Sequence, residues 1–177
     1  MKKLILFTII AYLFSCAADD NILDNYWGTV SAEINGEQWT ARIVATNNVL
    51  SHDLFNIGCD VFNDELLRRE FLLIRSIPRS LGVYQVANRD INELESTYSY
   101  YETLALDGDV GCDYYDLNDE FAETNIVNVT RFDDNGSLIE GTFHLTFLIE
   151  DAINKCNPNA PDTIKFRNGR FQTRITR

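Results

Sequence analysis

From Trp27 onward the apolar residues alternate with polar ones rather than recurring every three or four positions, and turn-forming pairs interrupt them at short intervals. A period of two marks strands with one buried face. Val30, Ala32 and Ile34 share one phase; Asn35-Gly36 offers the two positive φ angles of a type I′ turn; Trp39, Ala41 and Ile43 then return. Residues 54–62 carry Phe55, Ile57, Cys59 and Val61 on one side. Residues 69–77 answer them, with Phe71 and Leu73 on one face and Leu72 and Ile74 on the other, so this pair reads as central and buried on both faces. Pro78, which cannot donate to a ladder, ends it. A short strand at 82–86, a helical turn at 88–95, extended chain at 97–106 and a strand at 109–115 follow. Residues 125–132 and 137–150 flank Asp133-Asp134-Asn135-Gly136 as a hairpin with Phe143, Leu145, Phe147 and Ile149 inward. After a loop at 151–161, residues 163–166 and 170–175 form a last hairpin around Asn168-Gly169. The whole predicts an all-β domain, an antiparallel β-sandwich or flattened barrel of about ten strands.

The first twenty residues break this rhythm. Lys2 and Lys3 precede an unbroken apolar run, 4–14, shorter than the roughly 20 residues that cross a bilayer core, which reads as an export leader. It closes on Leu13-Phe14-Ser15-Cys16, which resembles the lipobox of bacterial lipoproteins. The resemblance implies a diacylglycerol on the Cys16 thiol, cleavage just before it, and a further acyl chain such as palmitate on the new amino terminus. Residues 1–15 are then a signal peptide, 16–26 a lipidated tether and 27–177 a single β domain. Each buried methylene contributes about 0.8 kcal/mol, so two or three chains anchor durably where one does not. The plainer alternative is an ordinary secretory leader with an incidental cysteine, but no A-x-A site precedes a plausible mature start. Asp19 and Asp20, behind the cysteine, partly resemble the acidic signal that sends Bacteroidota lipoproteins to the outer face of the outer membrane. That favours the cell surface over the periplasmic face.

Charge narrows the partners. The leader removes two of fifteen basic residues and none of the twenty-seven acidic ones, leaving a mature net charge of −14. Such a surface repels phosphate backbones and anionic headgroups, so the reading is no nucleic acid, and membrane attachment through lipid alone.

Candidate chemistry is sparse. Ser51-His52-Asp53 holds the residue types of a hydrolytic triad, yet neighbours in sequence cannot surround one another as a triad must, so it reads as a polar turn. His144 alternates onto an outward face. The cysteines lack metal spacing. The acidic stretch with Asp107, Asp109 and Asp113 suits calcium in its oxygen donors but fails the register of an EF-hand loop, and a solvated acidic loop competes with that reading. Tyr98, Tyr100, Tyr114 and Tyr115 could form a ligand platform, against the alternative of core and sheet-edge packing. With Cys16 lipidated, three cysteines remain. Cys59 falls in an apolar phase and reads as a buried free thiol, whereas Cys112 and Cys156 lie in predicted loops and are expected to pair, stapling the 151–161 loop to the acidic segment.

The turn and core residues carry a wider resemblance. Ala32-Glu33-Ile34-Asn35-Gly36 with Trp39-Thr40-Ala41, Gly82-Val83-Tyr84, Glu140-Gly141-Thr142-Phe143 and the closing Ile164 to Phe171 segment resemble the uncharacterised β-rich lipoprotein families of Bacteroidota. Those motifs are structural and bring no catalytic residue. The expectation is a non-catalytic binding or accessory domain for an extracellular glycan or a partner protein. A structural envelope-interaction lipoprotein and a carboxylate-based glycoside hydrolase are the alternatives. A concave face lined by tyrosine and acid would favour a glycan, and a flat apolar patch a protein.

Overall fold

The computed structural model describes residues 25–88, 96–133 and 138–176. It is all-β, with ten strands: β1 (Gly28–Ile34), β2 (Glu37–Asn47), β3 (Leu54–Phe62), β4 (Arg68–Pro78), β5 (Gly82–Gln85), β6 (Tyr98–Leu104), β7 (Gly111–Leu117), β8 (Ile126–Asp133), β9 (Leu138–Ile149) and β10 (Thr163–Thr176). Eight of them close into an antiparallel barrel in the order β1-β2-β3-β4-β6-β7-β9-β10, with β10 pairing back onto β1. Of the two architectures the alternation allows, the barrel is the one formed; closure leaves no unpaired edge around the ring. β8 and β5 extend from β9 as a two-strand flap.

The first hairpin forms as its sequence dictates, with Asn35 and Gly36 at φ 52° and 93°. β3 and β4 form the central pair. Phe55, Ile57, Cys59, Leu72 and Ile74 are buried inside the barrel, while Phe71 and Val44 close over Gly58 on its outer face. The interior is filled by Tyr101, Tyr115, Phe143, Phe147 and Phe166, in tilted and edge-on contacts 5.4–6.2 Å between ring centroids.

Two features depart from the sequence reading. The Asn168-Gly169 pair is not a turn: β10 is one strand of fourteen residues. Against β9 its register slips between Phe166 and Gly169, a β-bulge with Asn168 at φ 54°. The extra residue shifts the alternation, so Ile164 and Phe166 point inward before it and Phe171, Thr173 and Ile175 after it. Cys112 lies in β7, as the strand read at 109–115 has it, and not in a loop. The helical turn expected at 88–95 and the turn at 133–136 fall mostly outside the described residues.

β9 pairs with β7 at one end and with β8 at the other, and a 3-10 turn (Asp119–Thr124) fills the gap between. There the backbone of Thr146 is satisfied by the Asn118 N–H and by Asn125 Oδ1, at 2.9 and 2.8 Å. A buried network closes the barrel end formed by the 48–53 and 79–81 turns. Asn48 Nδ2 donates to Asn56 Oδ1 at 3.2 Å and to Ser76 Oγ at 3.1 Å. The opposite end stays open.

Candidate functional site

The open end is framed by the hairpin at 35–36, the turns at 63–67 and 105–110, and the loop at 150–162. Within it lies a cavity of about 1090 Å³, just above the usual range for small-ligand sites. Its floor is set by strand alternation. Trp39, third residue of β2, turns inward and packs edge-on against Phe166, centroids 5.1 Å apart. Glu70 shares the inward phase of Leu72 and Ile74 on β4, and its Oε2 accepts a 2.8 Å hydrogen bond from Trp39 Nε1. Tyr101 on β6 also bonds Glu70; burial first, then the adjacent carboxylate, raises its phenol above the ordinary tyrosine range. Tyr115 on β7 donates to the Pro161 carbonyl at 3.1 Å and is pushed up to about 12, by burial and then by Asp113 and Asp162.

The far wall is the 150–162 loop, and Asp113 holds it. Asp113 points inward on β7, with its carboxylate accepting the backbone N–H groups of Cys156 at 2.8 Å and Asn157 at 3.2 Å. Beside it Cys112 and Cys156 lie at disulfide distance, Cα–Cα 5.2 Å. Lys155 braces the loop from within, bonding the Ala160 carbonyl at 2.6 Å and Asp162 at 2.5 Å. Asp151 caps the loop's first turn by accepting from Ile153 and Asn154; the side-chain and backbone donors of Asn154, then Ile153, lower its carboxyl below the usual range.

Several residues singled out in the sequence are dispersed by the fold. Tyr98, Tyr100 and Tyr114 stand on the outer wall, whereas Tyr115 is in the core, so the four form no common platform. On that wall Tyr100 packs edge-on against Phe71 and Arg75 lies over Tyr98. Asp107 and Asp109 occupy an exposed turn, where Asp107 accepts the Asp109 N–H. Both oxygens of Asp113 are already taken by loop backbone. Among the described residues no group of three or more His, Cys, Asp or Glu side chains could hold a metal ion. His52 lies in the exposed 48–53 turn, where Ser51 Oγ accepts the Asp53 N–H. His144 stands half-buried on the outer face of β9, and burial, then Arg167, lowers its pKa. Cys59 is a buried free thiol. Cys16 lies outside the described residues.

Compared with known protein families, curated proteins and solved structures, the chain matches none of them.

Glu70 is the residue that reading in sequence passes over. Its signal is a carboxylate in the apolar phase of a central strand, two and four residues before Leu72 and Ile74. A charge is rarely placed there unless it meets a cavity or a partner.

Proposed function

We propose that this chain is a lipid-anchored lipoprotein of the outer membrane whose barrel binds an extracellular glycan without transforming it. The lipobox-like Leu13 to Cys16 segment, and turn and core motifs that resemble those of Bacteroidota lipoproteins, support the anchor. The observation that carries the binding reading is the one-ended cavity itself, with Trp39, Tyr101 and Tyr115 in its floor and Glu70, Gln38, Asn157 and Asn159 among its polar lining. Sugars suit such a surface because their C–H faces pack on aromatic rings while their hydroxyls need fixed acceptors and amides. A non-catalytic role fits the acids present, since Asp113 is committed to holding a loop.

Trp39 provides the test. In a Trp27→Phe protein it is the only tryptophan, so a panel of soluble polysaccharides can be screened by its fluorescence. A saturable change with at least one glycan, lost in Asn157→Ala or Glu70→Ala, is the expected result. Silence across the panel would overturn the glycan reading.

A second reading draws support from the rim. Leu66, Leu106, Val110 and Ile153, on three separate turns around the mouth, are 51, 83, 59 and 92% exposed. Apolar tips ringing a cleft suit a protein partner. Cross-linking from these tips in intact cells tests that reading, and capture of a single envelope protein is the expected outcome.

A further inference from the structure

The cavity holds a carboxylate that only neutral groups compensate. Glu70 is fixed by Trp39 Nε1 at 2.8 Å and by the Tyr101 hydroxyl. Among the described residues the ion pairs run Arg68–Asp60, Arg131–Glu140 and Lys155–Asp162, and Glu70 is in none of them. Arg69, the cation among the cavity's lining residues, donates to the Ala105 carbonyl at 2.7 Å and makes no ion pair with Glu70, and Lys155 serves Ala160 and Asp162. The other inward acid, Asp113, is answered by two backbone N–H groups. A carboxylate at the edge of an apolar cleft, served only by neutral donors, gains most from a ligand cation, because opposite charge adds coulombic attraction, strengthened where water is partly excluded, to the hydrogen bond that any donor makes. An anion would meet repulsion from Glu70, and a neutral sugar would gain the hydrogen bond without the ion-pair attraction.

We infer that the cleft takes an amine-bearing glycan, with its ammonium group seated on the Glu70 carboxylate; this rests on the reading of the cleft as a glycan site. Specificity then lies in one charge. Acetylating the amine leaves the sugar backbone in place but removes the cation that Glu70 lacks.

The probes are chitosan oligosaccharides, which carry free amines, and chitin oligosaccharides of equal length, in which the amines are acetylated. Calorimetry with the full-length protein in detergent, at mildly acidic pH where the amines are charged, should give at least tenfold tighter binding of chitosan, about 1.4 kcal/mol. Glu70→Gln keeps an oxygen for Trp39 Nε1 but removes the charge. It should abolish the preference, which separates Glu70 from the general pull of an acidic surface on a polycation. Raising the salt supplies a second measure on the unaltered protein, since a partly buried pair is screened far less than surface charge and the preference should persist. Equal affinity for the two oligosaccharides, a preference that survives Glu70→Gln, or one that vanishes with salt would overturn the inference and leave the glycan reading standing. Failure of both oligosaccharides, with cadaverine still binding in a Glu70-dependent way, would instead sink the glycan reading and keep the ammonium seat. Failure of all three ligands would end both.

Discussion

At the scale of single residues, two kinds of position carry the barrel. The first is the glycine that lets a neighbour come close. A Cβ on Gly169 would stand 2.7 Å from the Phe143 ring, inside any normal contact, so Gly169→Ala must displace a core aromatic. It should cost about 1–3 kcal/mol in urea unfolding. The second kind is the buried acid. Asp60 faces outward on β3 yet is only 3% exposed, accepting from the Tyr26 hydroxyl at 2.8 Å and pairing with Arg68 at 3.3 Å. Burial outweighs these partners and raises its carboxyl above the ordinary aspartate value of 3.8. The folded state therefore holds its proton more tightly than the unfolded chain. Asp60 thus costs nothing below pH 3.8 and lowers stability as pH rises from there through its native value. Asp60→Asn should flatten that part of the pH–stability profile, with the gap between variant and parent widening across this window. A gap independent of pH would refute the assignment.

At the scale of elements, the 150–162 loop is the structure that makes the cleft, and three devices hold it: the Asp113 carboxylate, the Lys155 brace and the Cys112–Cys156 pair. The cysteines are 44 residues apart; loop-closure entropy for that span assigns their bond about 4 kcal/mol. A reducing agent, or Cys112→Ser with Cys156→Ser, should lower the unfolding free energy by up to that amount and loosen the wall around Trp39. The readout is the urea midpoint with and without reductant. An unchanged midpoint would mean that the pair is not bonded in the protein. The loop's position, like the bulge in β10, could not be placed from local pattern. Asn-Gly has the same turn chemistry whether the chain reverses or steps one residue aside in a continuing strand, and the choice is made by β9 and β1, which pair along both sides of β10.

For the whole molecule, the cleft and the proposed anchor are tested separately. The chain enters β1 beside Trp27, whose N–H bonds Ile43 and whose carbonyl accepts from Thr173 at 2.7 Å, and Tyr26 packs outside the wall against Phe62, with ring centroids 5.8 Å apart. The described chain therefore begins against the side wall of the barrel. If Cys16 carries lipid, Cys16→Ala should move the protein from the membrane to the soluble fraction while the barrel's melting curve stays unchanged. Fractionation unaltered by the substitution would refute the anchor.

The strand count, the inward phase of nearly every core residue, the Asn35-Gly36 hairpin and the central β3–β4 pair were legible in the sequence, because each depends on a period of two and on turn chemistry that act over a few residues. The site was not. Tyr114 and Tyr115, adjacent in sequence, part to opposite sides of a wall, and Trp39, Glu70 and Tyr101, spread over more than sixty positions, meet at one barrel mouth. Closure alone decides which inward residues end at the sealed end and which at the open one. Local alternation gives the side of the sheet on which a residue lies, but its height along the barrel is set by the registers of all eight strands together.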